Sequence, residues 1–134
     1  MFFVGGFGTL FDFSDNLDIQ RLIRDVYESG GIVSAVCNGP SALINSKYHD
    51  GTSFIKGKKV TCYSNAEREN WFKESGDTKP VPFFCEDELK KAGAIFLDGG
   101  IRQEHVVVDG RLVTGQNPAS ARKVAETVVN LLKY

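Results

Sequence analysis

The stretch GIVSAVCNGPSAL, residues 31–43, sets one cysteine between an apolar run and a segment of helical character. A thiol at a strand–helix corner can serve as a nucleophile. The corner has the form of a nucleophile elbow, where small residues flank the nucleophile because the turn is sharp. Ala35 and Gly39 hold those two small positions around Cys37. The segment from Pro40 is expected to be a short helix with its N-terminus pointing at the sulfur. Its free N–H groups and partial positive charge would then lower the thiol pKa. The backbone N–H of Asn38 is one expected oxyanion donor, and Gly6 or Phe7 in the turn GGFG, residues 5–8, supplies the second. The Asn38 side chain orients and donates but cannot carry a proton. The competing reading of Cys37 is a small buried hydrophobe, the common fate of a free cysteine.

Other reactive side chains are few. Cys62 falls mid-strand and Cys85 at a helix start or in the loop before it, and both read as packing residues. The two histidines, His49 and His105, read as surface or structural groups rather than bases. Glu67 and Glu69 in SNAEREN read as helix-surface charges near an N-terminus, with one of them, Glu67 by preference, able to reach the site as an acid or base. No His/Cys set has zinc-ligand spacing, so neither a metal nor a cofactor is expected. Three thiols without a CxxC pair argue against a disulfide framework and for a reducing, cytoplasmic setting.

The elements that must position these residues follow from apolar periodicity. Residues 1–4 read as a short buried strand, and GGFG turns the chain. Ser14 or Asp15 is expected to cap a helix over residues 15–29, with Ile19, Leu22, Ile23 and Val26 on one face and Gly30-Gly31 as the stop. Ile32 to Val36 is a continuous apolar run, as in a strand covered on both faces. Lys59 to Tyr63 reads as a strand, Asn65 as the cap of the next helix, residues 83–93 as a helix and 94–98 as a strand. Two strand-like runs in HVVVDGRLVTG, residues 105–115, flank Asp109-Gly110, which suits a type I′ turn. Asn117 is the expected N-cap of the last helix, Pro118 its first residue, and Val124, Val128, Leu131 and Leu132 its apolar face. Helices alternating with short apolar strands predict an α/β fold with a mostly parallel sheet between helices, in one domain over residues 1–134. Ligands of such sheets sit beyond the carboxyl ends of the strands. The loops GGFG, CNGP and GQNPAS are expected to converge there.

The bulk composition narrows the function classes. Of 134 residues, 42% are hydrophobic and the formal net charge is -1, enough for a real core and too little charge to favour nucleic acid or an anionic membrane. The longest apolar runs are far shorter than a bilayer span. Met1-Phe2-Phe3-Val4 runs straight into glycines without a basic n-region, so no signal peptide is expected.

The blocks GGFGTLFDF, VSAVCNGP, PFFCEDELKKAGA and HVVVDGRLVTGQNPAS, in this order, resemble those of the ThiJ/PfpI superfamily across essentially the whole chain. The resemblance implies the class I glutamine-amidotransferase-like, flavodoxin-like fold. It is strongest to the branch of heat-inducible chaperones with glutathione-independent glyoxalase (D-lactate dehydratase) activity. It implies Cys37 as nucleophile, Gly6 and Asn38 as oxyanion donors, and Phe7, Gly39, Asn117 and Pro118 as substrate contacts. It also implies a small carbonyl substrate such as methylglyoxal, and misfolded proteins as further partners.

Three departures from that family qualify the expectation. Asn38 and Phe7 stand where members of this branch usually carry histidine, and Arg68 aligns with the usual acidic position. Family members also have a strand and helix before the glycine turn. Without them, exposed apolar faces and strand edges are expected, covered by a homodimer or higher oligomer unless the chain is a fragment. Addition of a thiolate to an aldehyde needs only Cys37. The proton shift that follows needs a group titrating near neutrality, worth about a hundred- to ten-thousand-fold. The expected activity is therefore that of a glyoxalase weakened unless a glutamate compensates. The alternatives are a non-catalytic, chaperone-like stress protein and a redox-responsive thiol protein.

Overall fold

The computed structural model describes residues 1–133. Strand β1 (Phe2–Phe3) lies parallel beside β2 (Val33–Val36), which lies parallel beside β6 (Leu112–Gly115). β5 (Val106–Asp109) closes the far side antiparallel to β6, giving the order β1-β2-β6-β5. A second, two-stranded parallel sheet joins β3 (Lys59–Val60) to β4 (Ile95–Phe96). The mostly parallel α/β arrangement is the one expected.

The continuous apolar run at β2 is explained by burial on both faces. Val33 of β2 and Leu112 of β6 face the larger core with Leu10, Ile23, Leu43, Phe54 and Leu89. Val36 and Val113 face a smaller cluster built on Val124 of α5 (Ala121–Leu132). The larger core is closed by α2 (Leu17–Glu28) and α4 (Cys85–Lys91), with α3 (Asn65–Ser75) flanking the site end. Cys62 and Cys85 are buried in this core, as their packing role requires.

Several boundaries differ from expectation for identifiable reasons. Asn16, not Ser14 or Asp15, caps α2, its side chain accepting from the Ile19 N–H at 3.0 Å. The Ser14 carbonyl is engaged instead by the Gln20 and Asn45 side chains. A one-turn helix α1 (Thr9–Asp12), too short to show a period, follows the glycine turn. The strand expected over residues 59–63 stops at Val60, because the Thr61 N–H bonds to the Thr114 hydroxyl (2.9 Å) and the Tyr63 N–H to the Cys37 carbonyl (2.8 Å). Ser64 rather than Asn65 caps α3, in a capping box with Glu67. The hairpin loop is Gly110-Arg111, one residue later than expected, since Asp109 pairs with Leu112. Only Gly110 of the two has positive φ (58°), the pattern of a type II′ rather than a type I′ turn.

At the chain's last helix a three-residue 3₁₀ turn (Pro118–Ser120) precedes α5. Its expected apolar face is covered only in part. Val124 is fully buried and Val128 half-buried, while Leu131 and Leu132 are exposed. β1 forms one edge of the sheet, with Phe2 and Val4 exposed beside it.

Candidate active site

Cys37 directly follows β2 and adopts φ +62°, a left-handed conformation rare for a residue with a side chain. Its N–H donates to the Gly115 carbonyl (3.0 Å) and its carbonyl accepts from Tyr63, so neighbouring segments hold the turn. Two glycines let the chain pass this corner. A Cβ on Gly5 would meet Cys37 Cβ at 2.7 Å, and one on Gly39 would meet the Phe3 carbonyl oxygen at 2.4 Å. GGFG and CNGP are therefore packed backbone against backbone, and the strand–turn–helix context expected of a nucleophile elbow is present.

The backbone N–H groups of Asn38 and Gly6 both act to lower the pKa of the Cys37 thiol. The same two backbone positions are those expected from the sequence to serve a substrate oxyanion rather than the sulfur. Gly6 reaches its position through φ +117°, and the Thr9 hydroxyl ties the corner by donating to the carbonyls of Gly6 (2.8 Å) and Asn38 (3.0 Å).

The expected acidification of the thiol is overturned. The segment after Cys37 is a fully buried five-residue 3₁₀ helix (Gly39–Leu43), too short to supply a substantial terminal field. Burial instead pushes Cys37 up to about 11, against the lowering effect of the two N–H groups, with the negative charge of Glu67 adding to the rise.

The cleft over the sulfur has a volume of about 480 Å³. Phe2, Phe7, Tyr63, Trp71 and Pro118 form its walls, and Cys37 and Asn38 lie at its base. Phe7 packs edge-on against Tyr63 with ring centres 6.2 Å apart. Among the described residues lining the cleft, Cys37 and Tyr63 are the only titratable side chains. Burial raises the Tyr63 phenol above its ordinary value, helped by the charges of Cys37 and Glu67.

Glu67 is not the exposed helix charge that its position suggested. It is 3% exposed and lines an adjoining cavity of about 360 Å³ that shares Tyr63, Trp71 and Pro118 with the first. Its Oε1 accepts from the Ser64 N–H and hydroxyl and from Gln116 Nε2 (2.8 Å), and its Oε2 from the Arg102 N–H (3.1 Å) and Asn117 Nδ2 (3.0 Å). With five donors on two oxygens, it organises the loops around it. Glu69 is exposed and bonded to Lys73, and Arg68 lies outside both cavities.

Two expected substrate contacts lie outside the lining of the Cys37 cleft. Gly39 is buried under β1, where its missing side chain serves backbone packing rather than a ligand. Asn117 makes no side-chain cap and does not line the Cys37 cleft; its amide donates to Glu67 and to the Gln103 carbonyl (2.7 Å) beside the second cavity. Gln116, fully buried, was missed. Its side chain bonds Glu67, Asp98 and the Gly99 N–H, and its place in GQNPAS, a loop already expected at the site, was the available signal. His49 pairs with Asp25 and Glu28, and His105 Nε2 contacts the Leu97 carbonyl; neither lines the cleft. Among the described residues no group of His, Cys, Asp and Glu is placed to hold a metal, and no helix is long and apolar enough to cross a membrane.

The chain is similar to proteins of known name over nearly all of its length. A probable glutathione-independent glyoxalase of Schizosaccharomyces pombe is 39% identical over 98% of this chain and 52% of its own length. Glyoxalase 3 of Candida albicans is 37% identical over 92% of this chain and 53% of its own length. The crystal structure of glyoxalase III from Candida albicans superposes with a TM-score of 0.83 at 35% identity, over 96% of this chain and 55% of that one. The X-ray structure of the Francisella tularensis Rapid Encystment Protein superposes with a TM-score of 0.85 at 37% identity, over 96% of this chain and 56% of that one. The chain thus spans about half the length of the curated relatives it matches. The model of the DJ-1/PfpI family matches residues 1–131, and the chain belongs to that family.

Proposed function

We propose that this chain captures a small 2-oxoaldehyde such as methylglyoxal at Cys37 and converts it to lactate only slowly. The observation that carries the reading is the left-handed corner that sets Cys37, beside the backbone of Gly6 and Asn38, in the lining of an apolar cleft. Relatives over about half their length carry the name glutathione-independent glyoxalase, which fits the same chemistry. The thiol, as thiolate, adds to the aldehyde carbon. The oxygen gains the negative charge, the two N–H groups stabilise it, and protonation gives a hemithioacetal. Proton transfer from that carbon to its neighbour through an enediol gives a thioester, which water hydrolyses to lactate and free thiol. Among the described residues lining the cleft the second step has no ready partner, since Cys37 itself and Tyr63, both shifted upward, are the only titratable side chains there.

The test is lactate formation from methylglyoxal by wild type and Cys37→Ala. Slow turnover that vanishes in Cys37→Ala supports the reading; turnover surviving the substitution contradicts it. A non-catalytic, chaperone-like role is the second reading, favoured by the missing base and by the exposed Val4, Phe11, Leu17 and Leu132. Those same residues support self-association into a homodimer or larger assembly and binding of misfolded proteins. A concentration-independent monomer by analytical ultracentrifugation would contradict the self-association.

A further inference from the structure

Arg68 is 6% exposed, and its guanidinium carbon stacks 4.1 Å from the centre of the Phe84 ring and 4.9 Å from that of Phe72. Among the described residues its guanidinium has no hydrogen-bond or salt-bridge partner, and its Nε is fully buried and unpartnered. A buried charge is normally paired, because its desolvation is otherwise uncompensated. The two other partly sheltered arginines obey that rule. Arg111 donates to the carbonyls of Tyr27 and Gly31, and Arg24, whose Nε also lacks a hydrogen bond, lies 3.9 Å from an Asp25 carboxylate oxygen.

Arg68 lines a cavity of about 290 Å³ separate from Cys37, with Phe7 shared between the two. Phe7, Phe11, Phe72 and Val81 give it apolar walls, and Lys79 adds a second cation. The Asp77 carboxylate also lines it, and one of its oxygens already accepts the Lys79 backbone N–H at 3.0 Å. Two cations against one carboxylate leave one positive charge uncompensated. A planar guanidinium held between rings matches the fork of a carboxylate, and the phenyl walls match an apolar body. We propose that the cavity between α3 and the Asp77–Val81 loop binds a small organic carboxylate with an apolar body, its carboxylate on Arg68. The proposal does not depend on what Cys37 does.

Isothermal titration of the full chain with phenylacetate, acetate and inorganic phosphate tests it. Saturable phenylacetate binding is expected, with acetate and phosphate each about tenfold weaker or worse. Arg68→Met, which keeps the volume and removes the charge, should weaken phenylacetate at least about tenfold. Lys79→Met, in the loop, should weaken it several-fold and keeps the test open if Arg68→Met does not fold. Alkylation of Cys37 with iodoacetamide should leave the affinity unchanged. No saturation in the millimolar range, equal binding by both variants, preference for phosphate, or loss on Cys37 alkylation would each overturn the proposal.

Discussion

Cys37 combines two properties that seldom coincide. Its backbone is held in the left-handed region, and its thiol is pushed up to about 11 rather than down. The sign follows from the surroundings. The walls of the cleft are aromatic and aliphatic, so removing water from the thiolate outweighs two N–H donors, and Glu67 adds repulsion. At neutral pH the resting thiolate is then about one part in ten thousand. Alkylation of Cys37 by iodoacetamide should therefore climb about tenfold per pH unit from pH 7 into the alkaline range, without levelling near the ordinary thiol value of about 8.5. A plateau below that value, read by mass spectrometry of the Cys37 peptide, would show an acidified thiol instead. The sequence displayed the corner, because Ala35, Gly39 and the apolar run before them are local signals. It did not display the direction of the pKa shift, which depends on Phe2, Phe7, Tyr63 and Trp71 arriving from distant segments.

Short elements joined by side chains, more than long ones, build the site. β3 reaches the main sheet through the Thr61 N–H on Thr114 and the Lys59 N–H on Asp109 (2.8 Å), so a strand expected over five residues is recorded over two. Such side-chain bridges carry no periodic signature, whereas α2, capped and amphipathic, was readable except for its cap. Glu67 shows the same limit. Its spacing from Ser64 suits a capping box, but its burial depends on Gln116, Asn117 and Arg102, far along the chain. The contact between the 3₁₀ helix after Cys37 and β1 is the tightest of these joints. Gly39→Ala would place a Cβ 2.4 Å from the Phe3 carbonyl oxygen and 2.9 Å from that of Val4, both backbone atoms that cannot swing aside. The expected loss is about 2–4 kcal/mol in urea unfolding, together with slower Cys37 alkylation at fixed pH as the corner shifts. An unchanged midpoint would mean that β1 is not seated against the corner.

At the scale of the whole molecule, loops at one end of the sheet build the cleft over Cys37. The three loops expected at the strand ends do converge: GGFG and CNGP around the sulfur, and GQNPAS between the two cavities. That convergence was legible because a parallel sheet directs its carboxyl-end loops to one place. The extent of the exposed apolar surface was legible only in kind. Leu131 and Leu132 continue the helical period of α5, yet the structure leaves them uncovered while Val124 is enclosed. On the proposed reading Cys37 is the nucleophile, the N–H groups of Gly6 and Asn38 are its donors, and Asn38 stands where the family resemblance implies a proton carrier. The rate of lactate formation from methylglyoxal by Asn38→His, relative to wild type, tests this account most directly. A rise of about a hundredfold or more, abolished by adding Cys37→Ala, is the predicted result. A wild type that already turns over rapidly and gains nothing from the histidine would contradict it.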